Sequence, residues 1–258
     1  MFVFKAGVVG AGTMGGEIAH VIANADIPVV LKDVDKKFVD QGLEKARSLW
    51  QSQVDAGKLN AAELDRKLAL ITGTIGYESF GDVDFVIEAV PERIELKQTV
   101  FSELDEVTPG HAILASNTSS LSVTEMALAT GRPDRVVGFH FFYPASVMRL
   151  IEVIEGDETS LETVQAAMNF AQAIRKTAIR CGEAPGFVVN RILNSSVSEL
   201  WRAQEESGID VTEIDRIVAE HLRDSYGDRF YVHARMRELV AERKLGAKTG
   251  EGFYEHGR

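Results

Sequence analysis

The chain has 258 residues, apolar and charged fractions ordinary for a globular protein, and a formal net charge of −11. That length suits one large domain, or a large domain followed by a small one. The acidic balance argues against a nucleic-acid partner, whose phosphates need basic surface, yet it leaves room for a phosphate-bearing ligand at a helix N-terminus.

Cys181 is the only cysteine, so no intrachain disulfide forms and a reducing, intracellular compartment is expected. Apolar runs such as 139–142 are far too short to span a bilayer, and no signal peptide or Arg-rich presequence is read ahead of the first strand. The expected setting is cytoplasmic, with no membrane partner.

In chain order, 3–9 reads as a short apolar strand that runs into glycines, and 13–24 as a helix with Ile18, Val21 and Ile22 on one stripe. A second strand, 28–32, ends at Asp33. A long amphipathic helix over 37–56 follows, then strands at 70–74 and 83–89. The segment 92–107 reads as a helix, 112–115 as a buried strand that leads into Ser116-Asn117-Thr118-Ser119-Ser120, and 135–139 and 147–154 as further strands. A helix over 161–175 and a strand over 177–181 complete the alternation, which is the mark of a parallel sheet covered on both faces.

Beyond Gly182 the pattern changes. Ala184-Pro185-Gly186 breaks the chain, and the remainder is helical in character. The fold class expected is α/β: a Rossmann-like doubly wound sheet over 1–183 and a small all-α domain over 184–258.

Gly10-Ala11-Gly12-Thr13-Met14-Gly15 matches the dinucleotide-binding fingerprint. Alone such a triplet is weak evidence. Here it follows a strand, opens a helix, and precedes an acid at a strand end, Asp33. Gly10 permits the tight turn, Gly12 the approach to a pyrophosphate, and Gly15 close helix packing. Asp33 is suited to the adenosine ribose hydroxyls, and its charge repels a 2′-phosphate, so NAD is the expected cofactor. The competing reading makes Asp33 the start of a turn with Asp35.

Nicotinamide binding does not name a reaction. His140 falls near a strand end among aromatics, where the residues alone leave it open between a core histidine and a titrating group. Glu152 tilts that choice. Strand alternation puts it on an apolar face, where a carboxylate needs a partner, and a histidine on the neighbouring strand would form the dyad that lets an imidazole take a proton from an alcohol. Ser119 is a candidate to hydrogen-bond a substrate oxygen. Helix capping competes for this segment, because Ser122 with Glu125 makes a capping box. Asn190 has no reading from the residues alone.

Taken together, GAGTMGGEIA at 10–19, DFVIEAVPERIELKQTVFSELD at 84–105, ASNTSSL at 115–121, GFHFFYP at 138–144, VMRLIEVI at 147–154, PGFVVNRIL at 185–193 and LGAKTGEGFY at 245–254 resemble the L-3-hydroxyacyl-CoA dehydrogenase family. The resemblance is especially close to its bacterial 3-hydroxybutyryl-CoA forms and to the dehydrogenase part of multifunctional fatty-acid oxidation enzymes. It implies NAD-dependent oxidation of an L-3-hydroxyacyl-CoA to the 3-oxoacyl-CoA, within fatty-acid β-oxidation. By resemblance His140 is the general base, Glu152 its orienting partner, and Ser119 and Asn190 the groups that position the 3-oxygen.

The resemblance also places Thr13 and Met14 in the glycine loop, Glu92, Lys97 and Asn117 along the cofactor and active-site cleft, and Lys248 as a cofactor-side lysine. Glu92 and Lys97 could instead be an ordinary helix-surface pair. Lys58 sits where the family meets the CoA phosphates, and a solvated surface lysine is an equal reading there. No metal site is expected.

Two departures from the family pattern stand out. Tyr143 replaces the usual asparagine beside His140, and the C-terminal domain is shortened after about 217. The family's homodimer is expected, but the shortening bears on its interface and on one wall of the cleft. Two other functions compete: an NAD-binding protein with reduced or no turnover, and a related dehydrogenase of a free hydroxy acid such as gulonate or carnitine.

Overall fold

The computed structural model describes residues 2–208 and residue 242. Eight strands form one sheet: β1 Ala6–Val9, β2 Val29–Lys32, β3 Ile71–Thr74, β4 Phe85–Glu88, β5 Ile113–Ser116, β6 Val136–Phe141, β7 Leu150–Glu155 and β8 Thr177–Gly182. The helices are α1 Thr13–Asn24, α2 Lys36–Asp55, α3 Ala61–Leu68, α4 Ile94–Val107, α5 Val123–Ala127, α6 Leu161–Ala173 and α7 Val189–Ser207, with a 3₁₀ turn at Pro133–Arg135. The first compact unit runs to Arg191, and α7 starts within it. The expected shortening after about 217 lies outside the described residues. Among the described residues no helix is long and apolar enough to cross a membrane.

The sheet order is β3-β2-β1-β4-β5-β6-β7-β8. Strands β1 to β6 pair in parallel, as the βα alternation predicts. β7 departs from that expectation: it runs antiparallel to β6, and β8 runs parallel to β7. The reason is the connection. Only the loop 142–149 joins β6 to β7, too little chain for the crossover that a parallel return needs. α3 is a second addition; a capping box between Asn60 and Glu63 starts it.

Strand alternation sorts the apolar side chains onto two faces. On one face Val8, Leu31, Phe85, Ile87, Phe139 and Ile151 pack under α1, α2 and α6, with Ile18, Trp50 and Phe170 in the same cluster. On the other face Val30, Val86, Leu114 and Ile154 pack under α4 and α5 with Phe101, Leu104 and Met126. Polar residues at the strand ends of that second face, Glu88, Ser116, His140 and Glu152, are all buried. They are the exceptions in an apolar layer, and each needs a partner.

The chain order reverses at β1, which has β2 on one side and β4 on the other. Open α/β sheets leave a crevice at such a point, outside the strand C-termini. Glycines shape it. Gly10 has φ +98, and a Cβ there would lie 2.6 Å from the Ala89 carbonyl oxygen. A Cβ on Gly15 would lie 1.7 Å from the Gly10 carbonyl oxygen, so α1 packs against its own loop at a distance only glycine allows. Gly15→Ala is therefore expected to cost ~1–3 kcal/mol through forced displacement of α1, read as a lowered urea midpoint. An unchanged midpoint would mean that the helix shifts freely.

Candidate functional site

The crevice beside the glycine loop has a volume of about 710 Å³. Gly10, Gly12, Thr13, Met14 and Asp33 line it, facing Val34, Phe38, Pro91 and Leu96. A Cβ on Gly12 would meet nothing within 4 Å, so the loop is open on the side from which a ligand approaches. Gly12 is also the N-cap of α1 and offers no side chain, which leaves the helix end to a ligand. Asp33 Oδ2 accepts the Ala11 N–H at 2.7 Å and Oδ1 accepts the Val34 N–H at 2.7 Å. Its carboxylate therefore ties the end of β2 to the glycine loop and keeps negative charge at the crevice. The turn role falls instead to Asp35, which caps α2 through the Lys37 N–H.

The second constellation lies where β6 and β7 meet. His140 and Glu152 are register partners across the antiparallel pair, so their side chains share a face. His140 Nδ1 lies 2.8 Å from Glu152 Oε2. Glu152 is fully buried, and its other oxygen, Oε1, accepts the N–H of Val188 at 3.0 Å and of Val189 at 2.9 Å. A carboxylate accepts only, so Nδ1 carries the ring hydrogen and Nε2 keeps its lone pair. Nε2 faces Ser119 Oγ at 3.2 Å. Phe142 packs on the imidazole at 4.6 Å between centroids and Phe187 at 5.8 Å. Tyr143, the departure from the family pattern, is exposed at 59%.

A third group of charges holds Ser119 in place. Glu92 Oε1 accepts the Thr118 hydroxyl at 2.5 Å and the Ser119 N–H at 2.9 Å, and Lys97 Nζ lies 3.2 Å from Glu92 Oε2. Lys97 is wholly buried and donates to both oxygens of Glu88, at 2.8 and 3.0 Å. Glu88 also accepts the Ser116 hydroxyl and the Val90 N–H, each at 2.7 Å. Burial works against the charge of Glu92, but the Thr118 hydroxyl, the Lys97 ammonium and the Ser119 N–H outweigh it and hold the carboxyl below the usual range.

The predicted residues thus fall into three groups. Gly10, Gly12, Thr13, Met14 and Asp33 line the crevice, with Gly15 beneath it. Ser119, His140 and Glu152 form one hydrogen-bonded line, and Asn190 follows directly on the two N–H groups that hold Glu152. Glu92, Lys97 and Asn117 are bonded to their neighbours in the fold. Lys97 does not stand on the crevice wall, because a buried ammonium is held where its carboxylates are. Asn117 Oδ1 accepts the Phe141 N–H at 2.8 Å and joins β5 to β6.

The helix-surface reading of Glu92 and Lys97 does not hold, since Glu92 precedes α4 and turns inward to Thr118. Lys58 is exposed at the tip between α2 and α3, and Lys248 lies outside the described residues. Ser122 caps α5 through the Glu125 N–H and donates its own hydrogen to Glu183. Sequence reasoning does not single out Glu88, although the signal is the one that marks Glu152: a carboxylate on the apolar face of a strand.

A glycine loop at a sheet switch point, beside a histidine–carboxylate pair, defines a dinucleotide-dependent oxidoreductase domain. The family model for the NAD-binding domain of 3-hydroxyacyl-CoA dehydrogenase matches residues 5–184. The chain is 34% identical over 277 residues to the fatty acid oxidation complex subunit alpha of Acinetobacter baylyi, covering 98% of this chain and 39% of that protein. It is 37% identical over 274 residues to the glyoxysomal fatty acid beta-oxidation multifunctional protein MFP-a of Brassica napus, covering 97% and 38%. The chain therefore spans about two fifths of the length of these curated relatives. Among solved structures, (S)-3-hydroxybutyryl-CoA dehydrogenase from Ralstonia eutropha superposes with a TM-score of 0.81 at 32% identity, covering 100% of both chains.

The chain belongs to the 3-hydroxyacyl-CoA dehydrogenase family. Its cofactor is NAD, and the open Gly12 backbone with the acid at Asp33 fits that dinucleotide.

A carboxyl whose pKa is depressed in the fold stabilises above its unfolded pKa and loses that contribution as the pH falls through the folded value. Wild-type stability should therefore fall more steeply than that of Glu92→Gln between neutral pH and the acid side of the carboxylate range, measured by urea denaturation at successive pH values. Parallel curves would show that the Thr118, Ser119 and Lys97 contacts add no net stability.

Proposed function

We propose that the protein oxidises an L-3-hydroxyacyl-CoA to the 3-oxoacyl-CoA. The observation that carries this reading is the Ser119–His140–Glu152 line, with the Nε2 lone pair directed away from the carboxylate that holds the ring. A bound NAD would supply the acceptor for the hydride that leaves the alcohol carbon. His140 Nε2 takes the hydroxyl proton, and Glu152 stabilises the imidazolium that results. Ser119 Oγ, anchored through its own N–H to Glu92, fixes the substrate oxygen within reach of Nε2. Asn190 is assigned a second contact to that oxygen because it follows Val189 in the segment bound to Glu152.

The CoA thioester as substrate, and a place in fatty-acid β-oxidation, rest on the family and on the names of the relatives. We assign the protein to the cytoplasm on its cysteine usage, and to a homodimer on family grounds. Lys248 keeps its assignment as a cofactor-side lysine, and Lys58, exposed at its hairpin tip, is assigned to the CoA phosphates.

The test is oxidation of NADH by acetoacetyl-CoA, followed at the NADH absorbance band. His140→Ala is expected to lower the rate ~10²–10⁴-fold, the usual share of general acid–base catalysis, with NADH binding retained. NADH bound without turnover by the wild type would overturn the reading. Faster turnover of gulonate or a free 3-hydroxy acid than of the thioester would transfer the site to another substrate class.

A further inference from the structure

The helix that opens at the glycine loop carries a buried carboxylate that neither the dyad nor the Glu88 cluster uses. Glu17 follows Gly15 and Gly16 in α1 and is only 1% exposed. Its Oε2 accepts the Ser146 N–H at 3.1 Å and the Ser146 hydroxyl at 3.2 Å, and its Oε1 pairs with Lys45 of α2 at 3.1 Å. Burial works against the charge of Glu17, but the Ser146 N–H and then the Lys45 ammonium outweigh it and hold the carboxyl below the usual range.

Ser146 lies in the loop 142–149, midway along the chain between His140 and Glu152. Other contacts already pin that loop to the core and to β8. Ala145 is fully buried in the same cluster as Ile18, Lys176 donates to the Ala145 and Met148 carbonyls, and the Thr177 N–H donates to the Arg149 carbonyl at 2.8 Å. The Glu17 bonds add a tie to the helix of the glycine loop. At the other end of the same loop Phe142 rests on the His140 imidazole at 4.6 Å between centroids. A buried carboxylate is a poor source of stability, since apolar side chains of similar volume commonly serve as well. What its bonds supply is direction.

We propose, resting on the dehydrogenase reading above, that Glu17 is a positioning residue: through Ser146 it holds the loop between the two dyad residues to the helix that receives the dinucleotide, and so sets the His140 ring relative to the cofactor. Hydride and proton leave adjoining atoms of one alcohol group. The hydride acceptor and His140 Nε2 must therefore be placed with respect to each other as well as to the substrate. The N-terminus of α1 meets the dinucleotide about one turn before Glu17, and Phe142 passes the position of the loop to the imidazole. A misplacement of about 1 Å between such groups can cost ~10²-fold in rate.

The experiment compares two variants of the full chain. Glu17→Met keeps the bulk of the side chain and removes the acceptor, whereas Glu17→Gln keeps an acceptor for the Ser146 N–H and leaves the partly exposed Lys45 to water. In the reduction of acetoacetyl-CoA by NADH, Glu17→Met is expected to lower kcat ~10–10²-fold with NADH affinity unchanged, and Glu17→Gln to restore most of the loss. The ring proton resonances of His140, which sense the Phe142 ring against it, should move in NAD-bound Glu17→Met and stay near the wild-type positions in Glu17→Gln. An unchanged kcat in Glu17→Met, whatever its NADH affinity, or equal losses in the two variants would overturn the proposal. Should Glu17→Met not fold, Ser146→Ala removes one of the two bonds without touching the helix, and wild-type kcat and His140 signals there would overturn it. An inactive wild type would defeat the dehydrogenase reading instead; His140 signals unmoved by Glu17→Met would then still overturn the role of Glu17.

Discussion

A carboxylate with no exposure to water has to be surrounded by donors, and Glu152 organises this fold around that requirement. Its side chain takes the imidazole hydrogen of His140 from β6 and two backbone N–H groups from the segment entering α7. The donors come from parts of the chain far apart in sequence. Removing any one leaves charge facing an apolar layer, an arrangement that costs several kcal/mol in typical proteins. The short loop 142–149 turns β7 antiparallel, and that pairing brings Glu152 directly opposite His140 on one face.

The same physics recurs one layer away, at the end of β4. Glu88 is also fully buried and is satisfied by Lys97, Ser116 and Val90. Lys97 passes the charge on to Glu92, which holds the backbone of Ser119. Two buried carboxylates thus fix the two partners of one contact: Glu152 sets the ring, and Glu88 acts through Lys97 and Glu92 to set the hydroxyl. Position within a few tenths of an ångström matters more to a proton transfer than any single contact energy.

Much of this is legible in the sequence, for physical reasons. The glycine loop can be read because Gly10 and Gly15 occupy positions that no other residue fits. His140 and Glu152 can be paired because strand alternation exposes a carboxylate among apolar neighbours. Direction is not carried by alternation, which is the same in parallel and antiparallel strands; the mark of the β7 reversal is the short connection 142–149. The start of α4 lies later than periodicity predicts, since Glu92 has helical neighbours in sequence but spends its side chain on Thr118 and Ser119. The serine-rich run reads as one candidate substrate ligand, Ser119, beside a helix cap at Ser122. In the structure Ser116, Thr118 and Ser122 hold Glu88, Glu92 and Glu183, and Ser119 alone meets His140.

Proton transfer at this site depends on the tautomer of His140. Ring nitrogen chemical shifts of His140, recorded on the NAD-bound protein in its neutral-imidazole state, test it directly. Hydrogen on Nδ1 and an unprotonated Nε2 are expected, with Glu152→Gln allowing the opposite tautomer to populate. Hydrogen on Nε2 in the wild type would contradict the assignment of that atom as the base.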